Sequence, residues 1–154
     1  MKELKEAIAK GTPEFIHVFD ERKREFVPAW LGMWKRQEII DFIKSQTLDN
    51  VQTSYTSAAV FIAPYSHGHL FFDVDWTLTP TNVQFYVDFS RDGVDWHTHV
   101  EVPFASLIYV PAQGDRKECI DIKLNAPYMR VRAVGSGTTA ANKVEVDVYM
   151  TASS

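Results

Sequence analysis

From residue 54 onward, apolar and polar positions alternate with a period of two, the spacing that puts successive side chains on opposite faces of a β-strand. Leu70, Phe72, Val74, Trp76 and Leu78 alternate with His69, Phe71, Asp73, Asp75 and Thr77. The next run keeps Val83, Phe85, Val87 and Phe89 on one side and Gln84, Tyr86, Asp88 and Ser90 on the other. Arg91-Asp92-Gly93-Val94 then reads as a hairpin turn, because Asp-Gly supplies the positive φ that a tight hairpin needs. Beyond it, Trp96, Thr98, Val100 and Val102 form the expected buried phase, opposite His97, His99 and Glu101. Further strands are expected at 58–63, 106–110, 117–124, 128–134 and 143–150. Short strands separated by turns, with no long helical crossovers, predict a mainly β chain folded as an antiparallel β-sandwich or jelly roll and exclude the α/β alternatives.

The first fifty residues follow a different pattern. Residues 2–10 are helix formers with Leu4 and Ile8 on one side and Gly11 as a stop. Phe15, Ile16, Val18 and Phe19, then a charged run, then Phe26 and Val27 predict a short hairpin with a polar tip. Over 31–46, Trp34, Ile39, Ile40, Phe42 and Ile43 form an apolar stripe between Lys35, Arg36, Glu38, Asp41 and Lys44, which predicts the main helix. The expected organisation is a helix and hairpin docking segment over 1–50, a sandwich over 51–150 and a short tail over 151–154. The stripe at Trp34, Ile39 and Ile43 needs cover from the sandwich or from another subunit.

Composition narrows the function classes. A net charge of −4, with basic residues scattered through both halves, argues against a nucleic-acid surface, which gathers Lys and Arg on one face. The single cysteine, Cys119, cannot form an internal disulfide. The charged start and the lack of any long apolar run give no expectation of an export signal or a membrane partner, so synthesis in a cytoplasm is expected.

Chemistry-bearing residues are few. His67-x-His69 and His97-x-His99 each place two imidazoles on one strand face, a pairing a metal can use, but no third ligand follows at fixed spacing. Both pairs read as solvent-facing. Cys119 shares the outward phase of Asp121 and Lys123 and reads as an incidental thiol rather than a nucleophile. Asp73, Asp75 and Asp88 alternate with apolar positions and are expected to face water, not to form a catalytic carboxylate pair. The expectation is therefore a chain without catalytic residues, cofactor or metal. The aromatic share of 13% is more informative, because Phe71, Tyr86, Tyr128 and Tyr149 fall on the polar phase, where they are expected to be covered by the amino-terminal helix or to serve a subunit contact or a stacked ligand.

The stretch Phe85-Tyr-Val-Asp-Phe-Ser-Arg-Asp-Gly-Val-Asp-Trp96, followed by Ala126-Pro-Tyr-Met-Arg-Val-Arg132, resembles two recurring patterns over about residues 54–150. One is the discoidin or galactose-binding-like jelly roll; the other is a group of small β-sandwich proteins of tailed bacteriophage particles. The resemblance implies structural roles: Asp92 and Gly93 make the turn, Trp96 caps the core and Arg130 pairs across the sheet. The length and the lone cysteine suit the virion group better. That group implies a non-enzymatic capsid decoration, neck or tail subunit that partners itself, as a homo-oligomer, and other virion proteins. A carbohydrate-binding module, with glycans as partner, is the alternative.

Overall fold

The computed structural model describes residues 17–20, 25–28, 37–100 and 107–154. The chain divides into two units, residues 1–36 and 37–154. In the first, β1 (His17–Asp20) and β2 (Glu25–Pro28) pair antiparallel, with Asp20 opposite Glu25, as the hairpin expectation required. The expected helix at 2–10 and the side chain of Trp34 lie outside the described residues.

The second unit is a β-sandwich, built from β3 (Gln37–Leu48), β4 (Ser54–Thr56), β5 (Val60–Phe61), β6 (His67–Thr77), β7 (Asn82–Ser90), β8 (Trp96–Thr98), β9 (Leu107–Tyr109), β10 (Arg116–Lys123), β11 (Tyr128–Ser136) and β12 (Lys143–Ser153). The first sheet has the order β10-β6-β12-β3; the second has β4-β11-β7-β8, with β5 also on β11 and β9 also on β7. All pairings are antiparallel. Among the described residues the only helical turn is the 3-10 turn Pro111–Gln113, and no helix is long and apolar enough to cross a membrane.

The alternation sets the core. Leu70, Phe72 and Val74 with Val144, Val146, Val148 and Met150 face Val83, Phe85, Val87, Met129, Val131 and Ala133, all fully buried. The Phe72 and Phe85 rings meet across the two layers at 5.0 Å. Each such large apolar side chain contributes about 1.5–3 kcal/mol by leaving water.

The expected helix over 31–46 is corrected: from Gln37 on, this segment is the edge strand β3, paired with β12. Its Ile39-Ile40 and Phe42-Ile43 pairs are good strand formers. A register shift misled the periodicity. Val148 lies opposite Ile43 and Tyr149 opposite Asp41, so Phe42 is an extra residue and Phe42 and Ile43 are buried in succession. Ser45, at φ 44°, continues the irregularity and donates its backbone N–H to Asp147 Oδ1 at 2.7 Å. The supposed stripe is split, with Ile43 in the core and Ile39 73% exposed on the outer face. The boundary expected at residue 50 accordingly falls between Arg36 and Gln37, and the expected tail at 151–154 is mostly the end of β12.

Candidate functional site

The hairpin β7–β8 carries the residues singled out around the turn. Ser90 pairs with Trp96, so five residues lie between the paired positions, more than in a two-residue turn. Gly93 takes φ +78°, which a β-carbon would strain. Asp92 Oδ1 accepts the backbone N–H groups of Val94 at 2.9 Å and Asp95 at 3.0 Å, and the Ser90 hydroxyl at 3.1 Å. Those bonds, the Asp95 and Val94 amides first, hold the Asp92 carboxyl at about 2.

Because Ser90 lies on the outer face of β7, its partner Trp96 does too, together with Thr98. The expected phase of β8 is therefore reversed. Trp96 is half-buried on the outer face rather than capping the core, and Val100 is 79% exposed. His97 pairs with Phe89, and the His99 ring lies 5.5 Å from the Phe89 ring. Val102 lies outside the described residues.

This outer face of the second sheet holds a charged centre that alternation did not reveal. Asp88 was expected in water; it lies on the outer face, yet its residue is 1% exposed. Its Oδ2 accepts Arg132 Nε at 2.7 Å and Arg130 Nε at 2.9 Å, while Oδ1 accepts Arg132 Nη2 at 2.9 Å and Thr98 Oγ1 at 2.9 Å. Burial is the largest influence on the Asp88 carboxyl and pushes it up. The bonds from Arg132, Arg130 and Thr98 together outweigh it and hold the group below the ordinary carboxylate value. The two guanidiniums in turn lie over rings, Arg130 at 4.3 Å from the Trp96 centroid and Arg132 at 4.6 Å from that of Tyr86. Beside them Tyr128 meets Phe61 edge-on at 5.3 Å, and Phe61 is 55% exposed. A signal for this cluster existed in the sequence: Arg130-x-Arg132 puts two cations on one strand face, in the motif quoted above.

The outer face of the first sheet carries the other two singled-out aromatics. Phe71 and Tyr149, cross-strand partners, stack at 4.8 Å and 6°. A shallow groove of about 310 Å³ beside them is lined by Asp73, Lys117 and Cys119. Cys119 is exposed.

His67 and His69 occupy this outer face as well, with His69 Nδ1 at 2.5 Å from Asp121 Oδ1. They line an open cavity of about 520 Å³ together with His99 and Lys123, so three of the four singled-out histidines share one wall system. Among the described residues no three His, Cys, Asp or Glu side chains converge in a geometry that could hold a metal ion.

No protein-family model matches the chain, and no curated protein matches its sequence. Among solved structures, the PBSX exported protein XepA superimposes with a TM-score of 0.52 at 14% identity, over 90% of this chain and 44% of its own. A chain from the structure of infectious bursal disease virus, Gx strain, gives 0.50 at 11% identity, over 78% of this chain and 33% of its own. A family 29 carbohydrate-binding module gives 0.41 at 10% identity, over 76% and 89%. The chain spans less than half the length of the first two. At these identities the likeness is one of fold, the β-sandwich.

Proposed function

We propose that this chain is a non-enzymatic structural subunit of a phage particle, a capsid decoration protein or a neck or tail subunit, acting by protein–protein assembly. One observation carries the reading: the sandwich closes its own core and still presents Trp96, Tyr86, Tyr128, Phe61, Arg130 and Arg132 together on one outer face. Trp, Tyr and Arg are the residue types that dominate binding energy at protein interfaces. Pinning both guanidiniums to Asp88 gives the face a fixed shape, which lowers the ordering cost of association. The fold it shares with a virus chain fits this reading. Light scattering on the purified chain and co-sedimentation with purified particles test it. Oligomers or particle binding support it; a strict monomer that binds no particle rejects it.

The alternative, a carbohydrate-binding module, is favoured by one feature, the Phe71 groove with Asp73 and Lys117 at its rim. Tyr86 and Tyr128 suit sugar stacking less, since Arg132 covers one and Phe61 and Gly93 abut the other. A glycan array with Phe71→Ala as control separates the two: saturable binding lost in the variant favours the module.

A further inference from the structure

Two strands end the first sheet, β3 and β10. β3 breaks its own edge with the bulge at Phe42 and the positive φ of Ser45, devices that keep other strands from pairing there. β10 has neither. It pairs with β6 without a register shift from Arg116 to Lys123, and among the described residues β6 is its only partner strand.

The direction of the backbone at that edge follows from the pairing. The Leu124 N–H donates to the Ser66 carbonyl opposite it at 2.9 Å, so Leu124, and with it Ile122, Ile120 and Glu118, turns its N–H and C=O toward β6. Lys117, Cys119, Asp121 and Lys123 therefore turn theirs to the open edge, and their side chains are exposed on the outer face. Asp115, immediately before the strand, is exposed as well. From Asp115 to Lys123 the outward residues run acid, base, thiol, acid, base, an order that is its own charge complement when reversed. An antiparallel second copy of β10 centred on Cys119 sets Lys117 opposite Asp121 of that copy, Asp115 opposite its Lys123 and Cys119 opposite its Cys119. The neighbouring registers do not match. A slip that keeps the same backbone groups facing brings Lys117 against Lys123, or Asp115 against Asp121, and a further one sets Lys117 or Asp121 against itself. Charged side chains on an edge ordinarily repel an incoming strand; this order repels in those registers and attracts in the one centred on Cys119.

The same register extends the rows already present on the sheet. Lys117 lies 3.8 Å from Asp73, which faces Asp147, and His69 lies 2.5 Å from Asp121. Joining two copies gives the row Asp147, Asp73, Lys117, then Asp121 and His69 of the second copy. The next acidic pair, Glu145 opposite Asp75, lies in the row that Lys123 of the second copy enters. At the centre, Tyr149, Phe71 and Cys119 meet the same three residues of the second copy, an apolar strip across the axis.

We propose that two copies of this chain join edge to edge through β10, antiparallel and centred on Cys119, into one continuous sheet. The contact is two-fold, each copy giving the same strand. The inference rests on the assembly reading above and specifies one of its surfaces.

Sedimentation velocity of full-length chains under reducing conditions tests it with Lys117→Asp and Asp121→Lys, at side chains that are 78% and 86% exposed. Wild type is expected to dimerise. Each single variant sets like charges opposite each other at both symmetry-related positions and is expected to dimerise about tenfold or more weakly. An equimolar mixture of the two, and the double variant alone, restore opposite charges and are expected to dimerise like wild type, with folding checked by circular dichroism. Should a variant misfold, the unaltered chain gives a second measurement. Opposed Cα atoms in a hydrogen-bonded pair lie about 5.5 Å apart, within disulfide range. Diamide, which takes two hydrogens from a thiol pair, should therefore link wild type through Cys119 in the same fraction that sedimentation finds dimeric. Single variants that dimerise like wild type, a mixture and double variant that stay weak, or a wild-type dimer that diamide leaves unlinked overturn this contact and leave the assembly reading standing. A monomeric wild type also overturns the contact, and if it binds no particle the assembly reading falls with it.

Discussion

Replacing Asp88 by Asn probes the charged centre of the second sheet with almost no change of shape. The carboxylate accepts four hydrogen bonds, three of them from guanidinium nitrogens. An amide leaves Arg130 and Arg132 side by side without a counter-ion and turns an N–H toward a donor. Removing one partner of a buried ion pair costs about 3–5 kcal/mol. Here the arginine side chains keep 27% and 29% of their exposure and can rehydrate, so the lower end applies, about 3 kcal/mol. For a unit of this size that lowers Tm by roughly 10 °C. The pH dependence has a definite sign. Because the folded-state value of Asp88 is depressed, its contribution is fully present above the unfolded carboxylate value, about pH 4, and is lost as pH falls through the folded value. Urea melts of wild type and variant at neutral pH and at pH 3 read both effects: the difference between the two proteins should be large at neutral pH and shrink at pH 3. A variant within about 0.5 kcal/mol of wild type at neutral pH would show that water satisfies the guanidiniums equally well and refute the reasoning.

Trp96→Ala should cost about 1–2 kcal/mol, less than a core tryptophan, because it removes a half-buried ring and one guanidinium contact; a loss of about 4 kcal/mol in chemical denaturation would return Trp96 to the core. Gly93→Ala should cost about 1 kcal/mol through its φ of +78°, its new methyl meeting the Tyr128 ring only at ordinary contact, and an unchanged melting temperature would contradict that turn geometry. Removing residues 1–36 should leave the β circular-dichroism signal intact, whereas removing 1–50 also deletes β3 with buried Phe42, Ile43 and Leu48 and should unfold the chain. Equal behaviour of the two truncations would contradict the place of β3 in the sheet.

What was legible in the sequence was whatever alternation alone determines. β6, β7, β11 and β12 follow a strict period of two, and their inner residues are the core. β3 was not legible, because a bulge at Phe42 turns two consecutive side chains inward and produces a spacing that a helix also shows. The phase of β8 was lost for a related reason: reading across a loop requires its length, and pairing Ser90 with Trp96 sends Trp96 outward. Alternation also assigns a face without saying what covers it. Asp88 sits on the solvent side and is buried all the same, under the arginines two strand positions apart on the neighbouring β11. The opposed carboxylates on β6 and β12 were equally hidden, since Asp73-x-Asp75 and Glu145-x-Asp147 each look like ordinary solvated faces until the register sets them against each other.

The central claim is that this sandwich is built to associate, and sedimentation equilibrium of the full-length chain across a wide concentration range tests it most directly. The account predicts a mass that rises with concentration above that of one chain. A mass equal to one 17.6 kDa chain at every concentration and salt, from protein that also fails to co-sediment with particles, would contradict it.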